Sequence, residues 1–407
     1  MLKMVDGTGI IGVDMVCPLG GAVSPPQPPN YDKVEVEGVG SLMLPNSLKA
    51  PLERVELIGN SMQGENPSPD NPQEIKSAGK WNEGTQKYEI DVKVTGRNIF
   101  DINNYVGSIN KISESEFHTE AKRGTPIGDI NLKAGGKYNI SYTFEIDSIT
   151  NSDCGVRIKC TKSNGTVSYI FDLPKMIGYV CNYTKSAIVP VDTVKCEILL
   201  YTDVKLKIGG AFKKLMIAEE SENVALNIYQ PYTEQTLTLT SDRPITKWDK
   251  LVEQGGSMGW LYSGKIAKEF TFVSKASDEN ISGRIRRRFK TSLNGKFPQT
   301  DKVMCNFLTT DNVRNDYSIG IVGSGDIYIY FYENTGVETL EQANHWLKNL
   351  PFEKTIIFER KTTEFVPLSE SEQTQLRNLH SYNGTTNITV DSGEVPCGIK
   401  LTYRKEK

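Results

Sequence analysis

Histidine, a common metal ligand and acid–base group, is scarce in this chain. His118, His345 and His380 are the only three in 407 residues. None has a second ligand-type residue at a metal-binding spacing such as H-x-x-x-H. His380 precedes Ser381, but no nucleophile elbow surrounds that serine. The histidines therefore predict neither a metal site nor a catalytic triad.

The thiols are scattered along the chain. The 7 cysteines include no C-x₂-C pair of the kind that zinc sites use. Their positions are Cys17, Cys154, Cys160, Cys181, Cys196, Cys305 and Cys397. The simplest interpretation is free thiols in a protein assembled in a reducing cytoplasm. A bridge among the four cysteines between 154 and 196 stays open as an alternative after release from the cell.

Carboxylates and glycines give no stronger sign of catalysis. Among 50 acidic residues, pairs such as Glu219 and Glu220 occur by chance. A glycosidase needs two carboxylates at a fixed separation, which a sequence does not give. The glycines of 38–40 and 323–325 lack the lysine and the strand–loop–helix context of a phosphate loop. We expect no catalytic residue, no metal and no cofactor, and hence a protein that is not an enzyme.

Two groups of residues could instead bind a ligand. Flat aromatic rings stack on sugars, and the candidates for glycan contact are Tyr169, Tyr179, Tyr183 and Tyr201. For each of them, packing in or around a core is the favoured interpretation and a sugar platform is the alternative. Alternate side chains of a strand share one face, which would align Arg284, Arg286, Arg288 and Lys290. The simpler interpretation of these cations is a solvated or edge-protecting strand face. The alternative is contact with a polyanion or with an acidic neighbouring subunit.

The elements that carry these residues are mainly β-strands. Residues 33–37 and 88–94 alternate polar and apolar side chains with a period of two, as half-buried strands do. Many short strands separated by turns fill 97–230, which predicts a β-sandwich. Further strands are predicted at 137–144, 155–160, 167–171, 186–191, 194–201 and 210–217.

Two helices are predicted near the end of the chain. Thr339 with Gln342 and Ser369 with Glu372 both have the spacing of a capping box. Apolar residues then recur at helical spacing, and Pro351 ends the first helix. Strands are predicted at 326–332 and 354–359 on either side of that helix, so this region is α+β.

Residues 59–75 (GNSMQGENPSPDNPQEI), here called the signature segment, are rich in turn-forming residues. They resemble a motif of tail and baseplate proteins from phages and prophages of Gram-positive bacteria. Residues 88–101, 216–239 and 368–403 resemble further segments of that family, in the same order. The segment itself is expected to be a surface loop of no special function, and it serves mainly to identify the family.

The resemblance has several implications for fold and function. It implies a jelly-roll sandwich, like those of carbohydrate-binding modules, within a mainly β protein. The predicted parts are an attachment segment with a Pro-rich spacer (1–31), a discontinuous β platform (32–96, 236–265 and 366–407), the sandwich (97–235) and an α+β domain (266–365). It also implies a non-enzymatic virion part at a tail tip or baseplate, assembled in the host cytoplasm and released by lysis.

The expected partners have two sources. The apolar, Gly-rich start of the chain and the Pro-rich spacer after it predict a plug that docks with other tail or baseplate proteins through residues 1–40, and a disordered terminus is the alternative. The resemblance implies a homo-oligomer, with a trimer favoured. The glycan partner would be host cell-wall polysaccharide, and wall teichoic acid would be the polyanion. A net charge of −3 gives no pull toward nucleic acid or a membrane surface, and no run approaches the ~20 apolar residues of a membrane span.

Three other functions are alternatives to a glycan-binding virion part. A tail-borne wall hydrolase predicts a catalytic constellation that the sequence does not display. A bacterial surface adhesin predicts a secretion signal and a wall-sorting motif, and neither is expected here. A purely structural spacer of the baseplate fits the sequence as well as a glycan binder does, and a phage is not distinguished from a tail-like bacteriocin.

Overall fold

The computed structural model describes residues 30–407 and the backbone of two short strands before them. Within 30–407 it leaves out 106–108, 120–123, 151–152, 177, 202–208, 221–228, 298–301 and 311–315. The fold is mainly β, as predicted, and its sheets are antiparallel. In the described residues, buried hydrophobic side chains form three separate clusters. None of the described helices is long and apolar enough to cross a membrane.

Strands β1 (Leu2–Asp6) and β2 (Gly9–Val13) form an antiparallel hairpin at the start of the predicted attachment segment. Residues 14–29, which contain the Pro-rich spacer, lie outside the described residues. The next strands are β3 (Tyr31–Val39), β4 (Ser41–Ser47), β5 (Glu53–Ile58), β6 (Ser61–Gln63), β7 (Ile75–Ser77), β8 (Lys80–Asn82) and β9 (Lys87–Thr95).

The following nine strands build the sandwich. They are β10 (Asn110–Ser113), β11 (Glu116–Thr119), β12 (Thr125–Asp129), β13 (Lys137–Thr150), β14 (Gly155–Lys162), β15 (Val167–Ile170), β16 (Gly178–Ile188), β17 (Thr193–Tyr201) and β18 (Gly210–Glu219). One sheet has the order β10-β11-β18-β13-β16, and the other has β12-β17-β14-β15. This alternation of strands between two sheets is compatible with the predicted jelly roll. One hydrophobic cluster, which includes Phe117, Phe144, Ile158 and Phe212, draws on strands of both sheets.

The chain then returns to the sheet that contains β3, β4, β5 and β9, and it also forms a third region. The remaining strands are β19 (Glu234–Ser241), β20 (Lys250–Gln254), β21 (Ser257–Ala267), β22 (Phe272–Lys275), β23 (Glu279–Ile281), β24 (Arg284–Asn294), β25 (Val303–Cys305), β26 (Tyr317–Val322), β27 (Asp326–Tyr332), β28 (Ile356–Pro367), β29 (Gly384–Asp391) and β30 (Gly398–Glu406). Helix α1 spans Leu340–Asn349 and helix α2 spans Glu370–Asn378. Short 3₁₀ turns lie at Ile102–Tyr105 and Glu333–Thr335.

The largest sheet gathers strands from both ends of the chain. Its order is β19-β9-β29-β4-β30-β5-β20-β21-β28-β25, with β3 on β30 and β8 on β9. We call β3–β9, β19–β21, β29, β30 and α2 the platform; its core includes Leu57, Val92, Trp260 and Leu401. The α+β region is β22–β27 and α1, packed with the ends of β21 and β28 around Phe289, Phe331 and Phe358.

Both intervening regions leave and re-enter the platform at paired strand ends. Thr95, the last residue of β9, is the register partner of Glu234, the first residue of β19. Ala267 at the end of β21 pairs in the same way with Ile356 at the start of β28. The sandwich and the α+β region therefore occupy the positions of two very long hairpin loops.

Both predicted helix starts have the expected local chemistry. The hydroxyl of Thr339 accepts a hydrogen bond from the Gln342 amide, and the Gln342 side chain accepts from the Thr339 N–H. Ser369 and Glu372 form the same reciprocal pair. Such boxes satisfy backbone N–H groups that a helix start otherwise leaves without partners.

Candidate glycan-binding sites

The structure separates the four predicted glycan-contacting tyrosines. Tyr183 is 7% exposed, and its ring lies 5.1 Å from that of Tyr142 in the sandwich core. Its hydroxyl donates to the carbonyl of Asp172, so this ring has no free face for a sugar. Tyr201 is half-buried at the end of β17. Tyr183 is therefore a core residue, which corrects its prediction as a glycan contact. Alternate side chains of β16 face the core, and Tyr183 is one of them.

The other two tyrosines are open to solvent on the outermost strands of the sandwich sheets. Tyr169 on β15 is 51% exposed and Tyr179 on β16 is 55% exposed. The Arg157 guanidinium lies 5.5 Å from the centre of the Tyr169 ring, close enough for a cation–π contact. Since β15 and β16 belong to different sheets, these two rings do not form one platform along a single sheet face.

The predicted basic stripe lies on β24, with all four cations engaged by acids of the same region. Arg284 contacts Asp316 at 2.6 Å, and Lys290 contacts Asp326 at 3.0 Å. Arg286 and Arg288 share Glu279. The strand lies between β22 and β27, with β23 also on β24, so it does not protect a sheet edge. Internal pairing accounts for these cations without a polyanion.

A groove between the platform and the α+β region was not predicted. It encloses about 1450 Å³. Trp81 on β8 and Tyr88 on β9 line its platform side, face each other across the two strands, and have ring centres 5.1 Å apart at 56°. Trp81 is 44% exposed. The groove thus offers an indole face on a rigid hairpin.

Two glycines hold this aromatic wall in place. Gly79 has a φ of +114°, a left-handed conformation, and a Cβ there would lie 3.1 Å from Cβ of Tyr88. Its N–H donates to the carbonyl of Ser392 at 2.8 Å. A Cβ on Gly393 would lie 3.2 Å from Cγ of Lys80. Any side chain at Gly79 would displace the strand that presents Trp81.

Ion pairs run along the same wall. Lys80 contacts Asp91 and, at 2.8 Å, Asp391. Desolvation alone would lower the pKa of Lys80, but the hydrogen bonds that Lys80 donates to Asp391 and Asp91 outweigh it and raise that pKa. Lys76 contacts Glu394, and this hydrogen bond raises the pKa of Lys76. Both lysines stay charged and paired at neutral pH.

The opposite wall comes from the α+β region, and the signature segment joins the two sides. Gln73 donates its N–H to the carbonyl of Asn306 at 2.6 Å, and Gln63 Nε2 donates to the carbonyl of Cys305 at 2.6 Å. Asn306 in turn donates to the carbonyl of Glu353 at 2.9 Å. The segment comprises β6 and the turn-rich loop that leads to β7, and it also ties the platform to its neighbour.

A buried carboxylate supports the floor of the groove. Asp249 has no exposed surface and accepts hydrogen bonds from the backbone N–H groups of Thr246, Ser263 and Gly264, each at 2.8 Å. The turn that it organises brings Ile245 into a two-way backbone pairing with Ala78. Ala78 precedes Gly79, so this corner positions the strand that carries Trp81.

The described residues contain no group of three or more His, Cys, Asp or Glu side chains that could hold a metal ion. His118 contacts the Asp147 carboxylate at 2.9 Å on the sandwich surface. Ser381 donates its hydroxyl to the carbonyl of Ala50 at 3.1 Å, so it acts as a structural hydrogen-bond donor.

The sequence held only a weak sign of the groove. Its aromatic pair lies in strands with ordinary alternation, and its lining comes from seven parts of the chain (72–81, 88, 243–244, 266–269, 306, 352–357 and 393–395). Sequence spacing does not bring such stretches together. The one usable sign was Trp81, a large ring within a polar run (GKWNEG) where core packing does not explain it.

Comparison with known proteins gives no family for this chain. No protein-family model matches it, and no curated protein matches it. Among solved structures, it is similar to infectious bursal disease virus, Gx strain, with 6% identity, 96% of this chain and 85% of that chain covered, and a TM-score of 0.15. The VP2 subviral particle of that virus gives 7% identity, 94% and 83% coverage, and a TM-score of 0.14. Scores this low support no argument about fold or function.

Proposed function

We propose that this chain is a non-enzymatic part of the tail tip or baseplate of a phage, or of a phage-tail-like particle, that infects or attacks Gram-positive bacteria. It attaches to the particle through its N-terminal segment and contributes to recognition of host cell-wall glycan. The basis is the sequence resemblance of the signature segment and of three further stretches.

One structural observation supports this proposal above the others. The resembling stretches 88–101 and 216–239 overlap β9 and β19, and 368–403 contains α2, β29 and most of β30, all in the platform. β19, β9 and β29 are consecutive neighbours in the platform sheet although they are separated by up to about 300 residues of chain. Two of the stretches also enter the sandwich, through Phe100 in its core and Met216 on β18. The resembling residues therefore lie in the platform and at its junction with the sandwich, and none lies in the α+β region.

The arrangement also fits a part that carries other modules. The N-terminal hairpin precedes the platform, and two inserted regions project from paired strand ends. A homotrimer is the form that the resemblance favours, and several copies on one particle would strengthen weak glycan contacts by multivalency. Hydrolysis is not part of the proposal, because the sequence displays no catalytic constellation for it.

The test uses particles from a host that produces the protein, with the native gene or one that lacks codons 2–30, which keeps Tyr31 because this residue is buried at the start of β3. Mass spectrometry should find the full chain in purified particles. The truncated chain should fold with the unfolding temperature of the full chain, since its platform core begins at β3, yet be absent from the particles. A control variant changes an exposed loop residue instead, Glu83→Ala, which should leave incorporation intact.

Three results would contradict the proposal. Absence of the full chain from particles would remove the virion assignment altogether. Normal incorporation of the truncated chain would remove the attachment role of the N-terminus. Release of soluble sugar from purified host wall by the pure protein would show that it is a hydrolase.

A further inference from the structure

We propose that the groove between the platform and the α+β region binds an extended, uncharged or N-acetylated oligosaccharide, with Trp81 as the stacking residue. This inference deepens the proposed function by naming the site and the ligand class. It differs from the sequence-based expectation, which placed glycan contacts on the sandwich.

The exposed indole is the first reason. Trp81 leaves 44% of its surface in solvent, although burying such a ring fully would stabilise the fold by more than most side chains do. Its hairpin is fixed from both sides, by Tyr88 across the strand pair and by the bond from Gly79 to Ser392. A rigid, open, flat apolar face is what the C–H face of a sugar ring stacks on.

The shape of the groove is the second reason. At about 1450 Å³ it exceeds the ~300–1,000 Å³ of ordinary small-molecule pockets. It is open to solvent on one side, and its two walls are held together by the bonds of Gln63 and Gln73 to Cys305 and Asn306. An open groove of this volume suits several linked sugar units better than one compact ligand.

The distribution of charge selects the class of glycan. Three of the four lysines that line the groove are paired with acids: Lys76 with Glu394, Lys80 with Asp391, and Lys268 with Glu353 at 2.9 Å. The fourth, Lys354, donates to the carbonyl of Leu347 at 3.4 Å. A polyanion such as teichoic acid would have to displace these carboxylates. Hydroxyl and acetamido groups need no such displacement, because paired ions still offer donors and acceptors at their free edges.

The experiment titrates the full-length protein with chitohexaose, with neutral host-wall polysaccharide and with purified teichoic acid, by calorimetry and by tryptophan fluorescence. We expect binding to at least one of the first two, with little change between low and high salt, because no net charge is exchanged. Trp81→Ala should weaken this binding about tenfold, the loss of roughly half a ring's burial. Trp81→Phe should retain most of it and shows that the hairpin folds.

Tyr169→Ala and Tyr179→Ala are the matched controls, since each removes an exposed aromatic ring from the sandwich. Both should bind like the native chain. The inference is overturned if these variants lose affinity while Trp81→Ala does not, if only teichoic acid binds and salt abolishes it, or if neither neutral glycan binds. In the first case the proposed virion function survives. If instead the groove binds glycan but the chain is absent from particles, the proposed function fails and the site remains.

Discussion

The buried Asp249 carboxylate offers a sharp test of how the platform corner is stabilised. It is the acceptor for three backbone N–H groups at 2.8 Å and for the Thr246 hydroxyl at 2.7 Å. The Arg243 guanidinium lies 3.4 Å away and 4.0 Å from the centre of the Tyr262 ring. In Asp249→Ala all of these donors lose their acceptor in a site closed to solvent.

The size of the effect follows from the number of orphaned donors. Each buried donor left without a partner costs about 1–3 kcal/mol. Three such N–H groups, partly relieved by local shifts and by water entering the space of the lost carboxyl, give an expected loss of about 3–5 kcal/mol in the free energy of unfolding. Asp249→Asn keeps one oxygen and places an NH₂ against the other donors, so we expect about half of that loss.

Urea unfolding at neutral pH, followed by tryptophan fluorescence, measures both variants. Trp260 in the platform core makes this signal sensitive to the platform. Glu253→Ala is the control, because this acid is exposed on the neighbouring β20 and should change stability by no more than about 0.5 kcal/mol. A loss below about 1 kcal/mol for Asp249→Ala would refute the reasoning. So would equal effects of Asp249→Ala and Glu253→Ala.

Two further predictions concern titratable side chains. Cys160 and Cys196 are opposite each other on β14 and β17, with sulfurs 3.9 Å apart. Prolonged exposure to oxidised glutathione should therefore link them to each other, with each thiol losing a proton and an electron to the oxidant. Non-reducing peptide mapping that found Cys154 or Cys181 bridged instead would contradict this. Burial raises the pKa of Glu372, but hydrogen bonds from Ser369 and Thr240 outweigh it and hold that pKa below its usual value. The charged form therefore stabilises the fold above the unfolded-state pKa, and this contribution disappears as pH falls through the folded-state pKa. Glu372→Gln should lower the unfolding temperature near pH 7 more than near pH 3, and an equal drop at both would show that the charge is irrelevant.

The sequence was sufficient where local chemistry decides the structure. Alternation of polar and apolar residues located β3 and β9, and capping-box spacing located α1 and α2, because strand period and helix capping depend on residues close in the chain. It was insufficient where distant segments meet. The face of Tyr183, the interior position of β24 and the hydrogen bonds of the signature segment all depend on pairings between residues tens to hundreds of positions apart.

The position of the groove connects the two proposed roles of the chain, attachment to the particle and recognition of glycan. One wall, with Trp81, belongs to the platform, where the family-like stretches lie; the other wall, with Phe352 and Glu353, belongs to a region inserted between paired residues Ala267 and Ile356. A different insertion could be joined at that strand pair without altering the platform core. Such an exchange would keep the stacking ring and replace the groups that face it. Attachment to the particle and choice of glycan could then vary independently within one chain, which is the property that a particle adapting to new hosts requires.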